Sequence, residues 1–377
     1  MINETRLVQT FLDLVAIDSP SGQEEAIGAE LARRLAALGG EVESDEHGNL
    51  IARFAAARYR VNTSSIGGGG QYNSSGNWLM LSAHMDTVGK DIGIKPQIRD
   101  GVIYSDGTTI LGGDDKSGVA VILDSIRSVQ EDGLPHPPLE VVLSVGEELT
   151  LSGARLLDKG KLRSRRGYVL DGGGPIGTIV TSAPSQDSLQ ITVHGKKAHA
   201  GSEPEKGINA IRVASEAIAA MPLGRIDPET TANIGIIEGG VAKNIVPDEV
   251  RIQGESRSRD DMKLAAQTAA MAAAFQEAAE RHGARVEFKF ARSYSTYNWT
   301  ETDPVVAHAM AAARRLGFPP VLEASGGGSD ANIYAEAGIP CAVLSTGMKD
   351  VHTSQEHIAI ADMVESARLL REILLAS

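Results

Sequence analysis

Short, dense apolar runs that stop abruptly at acids and histidines constrain this chain more than any other feature. Trp78–Ala83, Leu139–Val145 and Tyr168–Leu170 are such runs, and helical segments follow Lys116 and Leu151 between them. Strand alternating with helix predicts an α/β domain with a mixed, mostly parallel sheet flanked by helices. Ahead of it, Leu7, Phe11, Leu14 and Val15 recur at helical spacing. Ser21 followed by Glu24 predicts a capping box for a second helix through Leu31, Leu35 and Leu38, stopped by Gly39-Gly40.

From Asp187 the pattern changes. Leu189–Val193 alternates as a strand, Ile208–Ala220 is helical, and Asn233–Ile237 and Val250–Gly254 are two further strands. Met262–His282 is an Ala-rich helix and Arg285–Phe290 alternates again. The order β-α-β-β-α-β is the ferredoxin-like split motif. Helix Val305–Leu316 and strand Cys341–Ser345 then resume the first domain. The expected division is therefore a discontinuous domain, 1–184 and 293–377, carrying an insert at 185–292. At 377 residues, two cores are the ordinary expectation. Ligand sites favour such domain junctions.

Composition removes several classes of function. A formal charge of −13 repels phosphate backbones and argues against a nucleic-acid partner. No apolar run is long enough for a membrane span. Ile2 to Ile17 has no apolar h-region of a signal peptide, and the one cysteine, Cys341, allows no internal disulfide, so a reducing cytoplasm is expected. Cys341 reads as a small core residue. Without secretion the sequons at Asn62, Asn73 and Asn298 carry no meaning. The Gly/Ser/Asn-rich stretch Asn62–Asn77 lacks any phosphate-binding motif and reads as a flexible surface loop.

Taken singly, the chemically active residues have plain explanations. His84 and Asp86 share a face of an extended segment, so Asp86 can hold one ring nitrogen while His84 offers the other to a metal. A hydrogen-bonded histidine at a strand end explains the pair equally well. Asp114 and Asp115, flanked by glycines before a helix, could simply cap it. Glu147-Glu148 follows a buried strand, Asp171 opens a Gly-rich turn, and His352 has the look of a surface histidine. Together they say more. Acids and histidines recur at the C-terminal ends of strands, where open α/β sheets bind ligands. With no thiolate among them, they form an N/O donor set suited to zinc, manganese or cobalt.

The motifs, taken in order, resemble the peptidase T branch of the co-catalytic zinc exopeptidases, relatives of carboxypeptidase G, aminoacylase and succinyl-diaminopimelate desuccinylase. The resemblance is carried by Ser82-Ala83-His84-Met85-Asp86-Thr87-Val88, Gly112-Gly113-Asp114-Asp115-Lys116-Ser117-Gly118, Gly146-Glu147-Glu148 and Leu170-Asp171-Gly172-Gly173. It continues through Ala198-His199-Ala200-Gly201, Asn244-Ile245-Val246-Pro247, Gly327-Gly328-Ser329-Asp330-Ala331-Asn332 and Val351-His352-Thr353.

That resemblance implies a phosphorylase/hydrolase-like catalytic domain with an inserted lid that also forms a homodimer. It implies two divalent metal ions, zinc first and cobalt or manganese as alternatives. His84, Asp114 and Asp171 would hold one ion, and Asp114, Glu148 and His352 the other. Asp86 would orient His84, Glu147 would be the general base, and the Asp114–Asp115 peptide would be cis. In the lid, His199 would stabilise the oxyanion in a partner subunit's site, while Asn244 and Arg257 would contact substrate. The implied activity is hydrolysis of short peptides, as a tripeptidase or aminopeptidase. An N-acyl amino acid deacylase or carboxypeptidase of the same superfamily is the alternative, and a non-catalytic peptide binder a further one. A serine hydrolase is disfavoured, because no Gly-x-Ser-x-Gly elbow is present.

Overall fold

The computed structural model of the protein describes residues 1–57 and 78–376. The segment Asn62–Asn77 lies outside the described residues. The chain divides into two compact units: Met1–Thr181 with Trp299–Ala324 and Ser329–Ser377, and Ser182–Asn298 with Ser325–Gly328.

In the first unit the strand Leu79–His84 runs parallel to Leu139–Ser144 on one side and to Gly167–Gly173 on the other. Cys341–Lys349 continues this parallel core beside Gly167–Gly173. Antiparallel strands flank it, Leu50–Phe54 and Glu41–Ser44 at one edge, and His357–Ala359, Val102–Tyr104 and Gln97–Arg99 at the other. Period-two alternation sends Leu79, Leu81 and Ala83 into the main core. On the opposite face the Ser82 hydroxyl lies 3.0 Å from that of Tyr334, on the helix Asp330–Glu336. Burial on both faces is what permits such continuous apolar runs.

The long helix Gly113–Glu131 packs against Leu79–His84, Gly167–Gly173, the first helix Glu4–Val15 and the last helix Ile360–Ala376. Leu7, Phe11, Leu14 and Val15 are fully buried from the first helix, each such side chain contributing about 1.5–3 kcal/mol. Gly118 sets the closeness of the long helix. A Cβ there would stand 2.2 Å from the Leu170 carbonyl and 2.3 Å from Asp115 Oδ1, so only glycine lets the two elements meet. Cys341 is a buried core residue, as expected, and burial pushes its thiol pKa up.

The second unit is an antiparallel sheet ordered Gly224–Asp227, Thr230–Gly239, Glu249–Ser258, Ser185–His194, Arg285–Tyr294. Helices Ala210–Ala220 and Asp261–His282 bury Val213, Ala217, Met271 and Phe275 against Leu189, Ile191 and Val193. Apart from the extra edge strand Gly224–Asp227, the connectivity is β-α-β-β-α-β with order 2-3-1-4. Among the described residues no helix is long and apolar enough to cross a membrane.

Candidate metal centre

Parallel strands bring their C-terminal ends to one edge, and the candidate ligands of the first unit collect there. His84 ends its strand opposite Ser144, so Glu147 and Glu148 follow alongside it. Asp171 lies on the neighbouring strand Gly167–Gly173. Asp114 enters the long helix with non-helical φ −83° and ψ 106°, before a cis peptide to Asp115. His352 sits in the turn between Cys341–Lys349 and His357–Ala359.

Asp114 is the centre of the cluster. Its Oδ1 lies 3.0 Å from His84 Nε2, and its Oδ2 lies 3.1 Å from His352 Nε2. Asp171 Oδ1 is 3.9 Å from His84 Nε2, and Glu148 Oε1 is 2.8 Å from His352 Nε2. Three sets, His84–Asp114–Asp171, Asp114–Glu148–His352 and His84–Glu147–Glu148, each bring one donor atom per residue within 4.8 Å of the others.

The donor chemistry fits divalent cations. His84 Nδ1 is 2.9 Å from the Asp86 carbonyl oxygen, which can only accept, so Nδ1 carries a proton. In a neutral imidazole the Nε2 lone pair then faces carboxylate oxygens, an arrangement that needs a proton or a metal between them. Glu148 Oε1 is buried and faces His352 Nε2 at 2.8 Å. Burial first, and then repulsion from neighbouring acids, raises the pKa of Asp171 and Glu147 well above the carboxylate range. A cation relieves what protons otherwise must.

Asp86 does more than face His84. Its carboxylate is 3.4 Å from Nδ1, and its oxygens accept the Glu147 and Glu148 backbone N–H groups at 3.0 and 3.2 Å. The structure overturns the capping box here. The helix Glu25–Ala37 has no side-chain cap. The Ser21 hydroxyl instead donates to Asp86 Oδ2 at 2.7 Å, and Glu24 Oε1 accepts the Gly146 N–H at 3.0 Å. Both residues support the loop carrying Glu147 and Glu148, and only the long-range fold could supply those partners. Asp115, which residue type alone could not tell from Asp114, accepts N–H bonds from His84 and Gly118. Asp330 was not singled out either; fully buried, it accepts from the Ser144 hydroxyl. Ser329, in the same motif, caps the helix Asp330–Glu336.

His199, Asn244 and Arg257 lie in the second unit. His199 Nδ1 accepts the N–H groups of Gly201 and Ser202 at 3.1 and 3.0 Å. The Asn244 carbonyl accepts from Ala200 N–H, and Arg257 Nη2 donates to Glu255 at 2.9 Å.

A pH dependence follows from the first unit's cluster. Asp114 and Glu148 raise His352 to about 10. Burial opposes the charge on His84, yet Asp114 and Asp86 hold its pKa well above the imidazole value. With Asp171 and Glu147, these are raised folded-state pKa values. Their stabilisation is complete below the unfolded values and lost as pH rises through the folded ones. Asp114 runs the other way, since the two histidines overcome burial and lower it, and its contribution is lost on acidification. Between 6.5 and about 10 the raised groups set the slope, so the metal-free chain weakens as pH climbs. Ligation expels the same protons, so stabilisation by metal grows over that window. The melting-temperature gap between zinc-loaded and metal-free protein should widen from pH 6.5 to about 9; a constant gap would show that these groups do not exchange protons for metal.

The sequence model of peptidase family M20/M25/M40 matches residues 80–376. An uncharacterized Bacillus subtilis protein, YqjE, is 42% identical over 99% of both chains. Two crystal structures share the whole fold: aminopeptidase PepT from Bacillus cereus, at 41% identity and TM-score 0.86, covering 100% of this chain and 99% of that one, and a tripeptidase from Staphylococcus aureus, at 38% and 0.90, covering 100% and 98%.

Proposed function

The chain belongs to peptidase family M20/M25/M40, in its peptidase T-like branch, and from that premise we propose that it is a di-zinc aminopeptidase of tripeptides. That it hydrolyses peptide bonds follows from the family. The finer reading is supported most by the two-sided use of Asp114, one carboxylate oxygen toward His84 and the other toward His352.

Asp114 would hold one ion with His84 and Asp171 and the second with Glu148 and His352. Bound there, a metal pair supplies Lewis-acid polarisation of a carbonyl and water acidified to near neutrality. Glu147 accepts the proton of the attacking water on its carboxylate and returns it to the departing amine nitrogen. The Asp86 carbonyl keeps the Nδ1 proton of His84, leaving Nε2 free as a donor of its lone pair. From the second unit, proposed as the lid, His199 would donate to the oxyanion, while Asn244 and Arg257 would bind substrate, Arg257 pairing with a peptide carboxylate.

A homodimer through the lid is part of the same reading. Among the described residues the edge strand Gly224–Asp227 pairs only with Thr230–Ala232, and beyond it Ile236 and Ile237 are exposed on the strand Thr230–Gly239. An apolar open edge of this kind is suited to pairing with a second copy, which sedimentation equilibrium would report as twice the chain mass.

A panel of tripeptides with free or acetylated N-termini, dipeptides and N-acetyl amino acids tests the activity. Free tripeptides should be cleaved with release of the N-terminal residue, and acetylation should abolish cleavage. Preferred turnover of N-acetyl amino acids would make the protein a deacylase instead.

A further inference from the structure

Outside the ligand set, one further buried acid is tied to the centre. Glu356 is 1% exposed. Its Oε2 accepts the backbone N–H groups of Leu111 and Gly112 at 2.8 and 2.9 Å, and its Oε1 accepts that of Asp114 at 2.9 Å. Gly112, at φ +73°, turns the chain so that these N–H groups converge on one carboxylate, an anion-holding nest built from backbone. The loop is closed tightly around it: a Cβ on Gly113 would lie 3.1 Å from Oε1.

Glu356 also belongs to the hairpin that carries His352. The flanking strands are in register at Met348↔Ile358 and Lys349↔His357. Within the turn, Thr353 Oγ1 donates to the Asp350 carbonyl at 2.7 Å, and Glu356 N–H donates to the Thr353 carbonyl at 3.1 Å. The turn is thus internally tied, while the His352 side chain is 47% exposed and gains little position from packing. His84 and Asp171, by contrast, project from strands of the sheet.

We propose that Glu356 is a positioning residue that locks the loop of Asp114 to the hairpin of His352 and so sets the spacing of the Asp114–Glu148–His352 half of the centre. It rests on the reading that this half holds a metal ion. The role is selective in degree: both halves share Asp114, but the other half takes its remaining ligands, His84 and Asp171, from strands that do not depend on the hairpin, whereas this half also takes His352 from it. Glutamine at this position keeps the size but turns an amide NH₂ toward an N–H donor, leaving the loop and hairpin misaligned.

Metal-free wild type and Glu356→Gln are titrated with Zn²⁺ by calorimetry, and with Co²⁺ by visible absorption. Wild type should take two equivalents. In Glu356→Gln one equivalent should bind about 10–100-fold more weakly, as loss of an outer hydrogen-bond partner does, while the other, which shares only Asp114 with it, weakens distinctly less and keeps its cobalt spectrum. Should that variant fail to fold, Glu356→Asp, which keeps the charge but shortens the reach, is expected to show the same split. Two unchanged equivalents, or equal weakening of both, would overturn the proposal. A wild type that takes fewer than two equivalents would instead sink the two-metal reading beneath it.

Discussion

Glu147→Gln is expected to lower tripeptide turnover by about 10²–10⁴-fold while both metal equivalents remain bound. The substitution keeps size and removes only the ability to take a proton. The backbone at this position should not move, because Glu147 N–H is held by Asp86 Oδ1 at 3.0 Å and its carbonyl accepts the Leu151 N–H at 2.7 Å. Burial comes first, and repulsion from Asp171, Asp330 and Asp114 adds to it, so the carboxylate is made a stronger base than an exposed glutamate. A base poised in this way is what abstraction of a proton near neutral pH requires. Steady-state rates paired with elemental analysis check the result. A wild-type rate would place the base elsewhere, and loss of metal together with rate would recast Glu147 as a ligand.

Asp114→Asn carries the second large effect. Each carboxylate oxygen of Asp114 faces a different histidine, and an amide offers only one comparable acceptor. Both equivalents should therefore weaken, each by more than the roughly 10–100-fold typical of an outer-shell change, and hydrolysis should fall with them. Neighbouring Asp115→Asn is the internal comparison. Asp115 bonds the backbone of His84 and Gly118 rather than joining a candidate ligand set, so its substitution should spare metal stoichiometry far better. Metal content after dialysis, measured for both variants, decides. Two tightly held ions in Asp114→Asn would remove it from the bridging position.

Much of the fold was legible because it is written in local periodicity. Leu7, Phe11, Leu14 and Val15 announce their helix by spacing, and all four are buried. The apolar runs before His84 and Glu147 announce strands covered on both faces. Short outer strands such as Gln97–Arg99 and Val102–Tyr104 were not legible, since three residues carry too little pattern. Ser21 and Glu24 were legible but misread. Their spacing satisfies a local capping rule, yet the Asp86 carboxylate, 65 positions from Ser21, and the Gly146 N–H, 122 positions from Glu24, claim the same side chains.

For the site, the residues themselves determined the chemistry available: two imidazoles and a set of carboxylates, without thiolates, at the ends of strands. Periodicity and residue type depend only on near neighbours, so a single chain can display them. Where Asp115 directs its carboxylate and what holds the Asp114 loop were decided by tertiary structure alone. Each depends on a hydrogen-bond partner brought from elsewhere, as when Glu356 accepts an N–H from a residue 242 positions earlier, and no local pattern records where a distant donor will arrive.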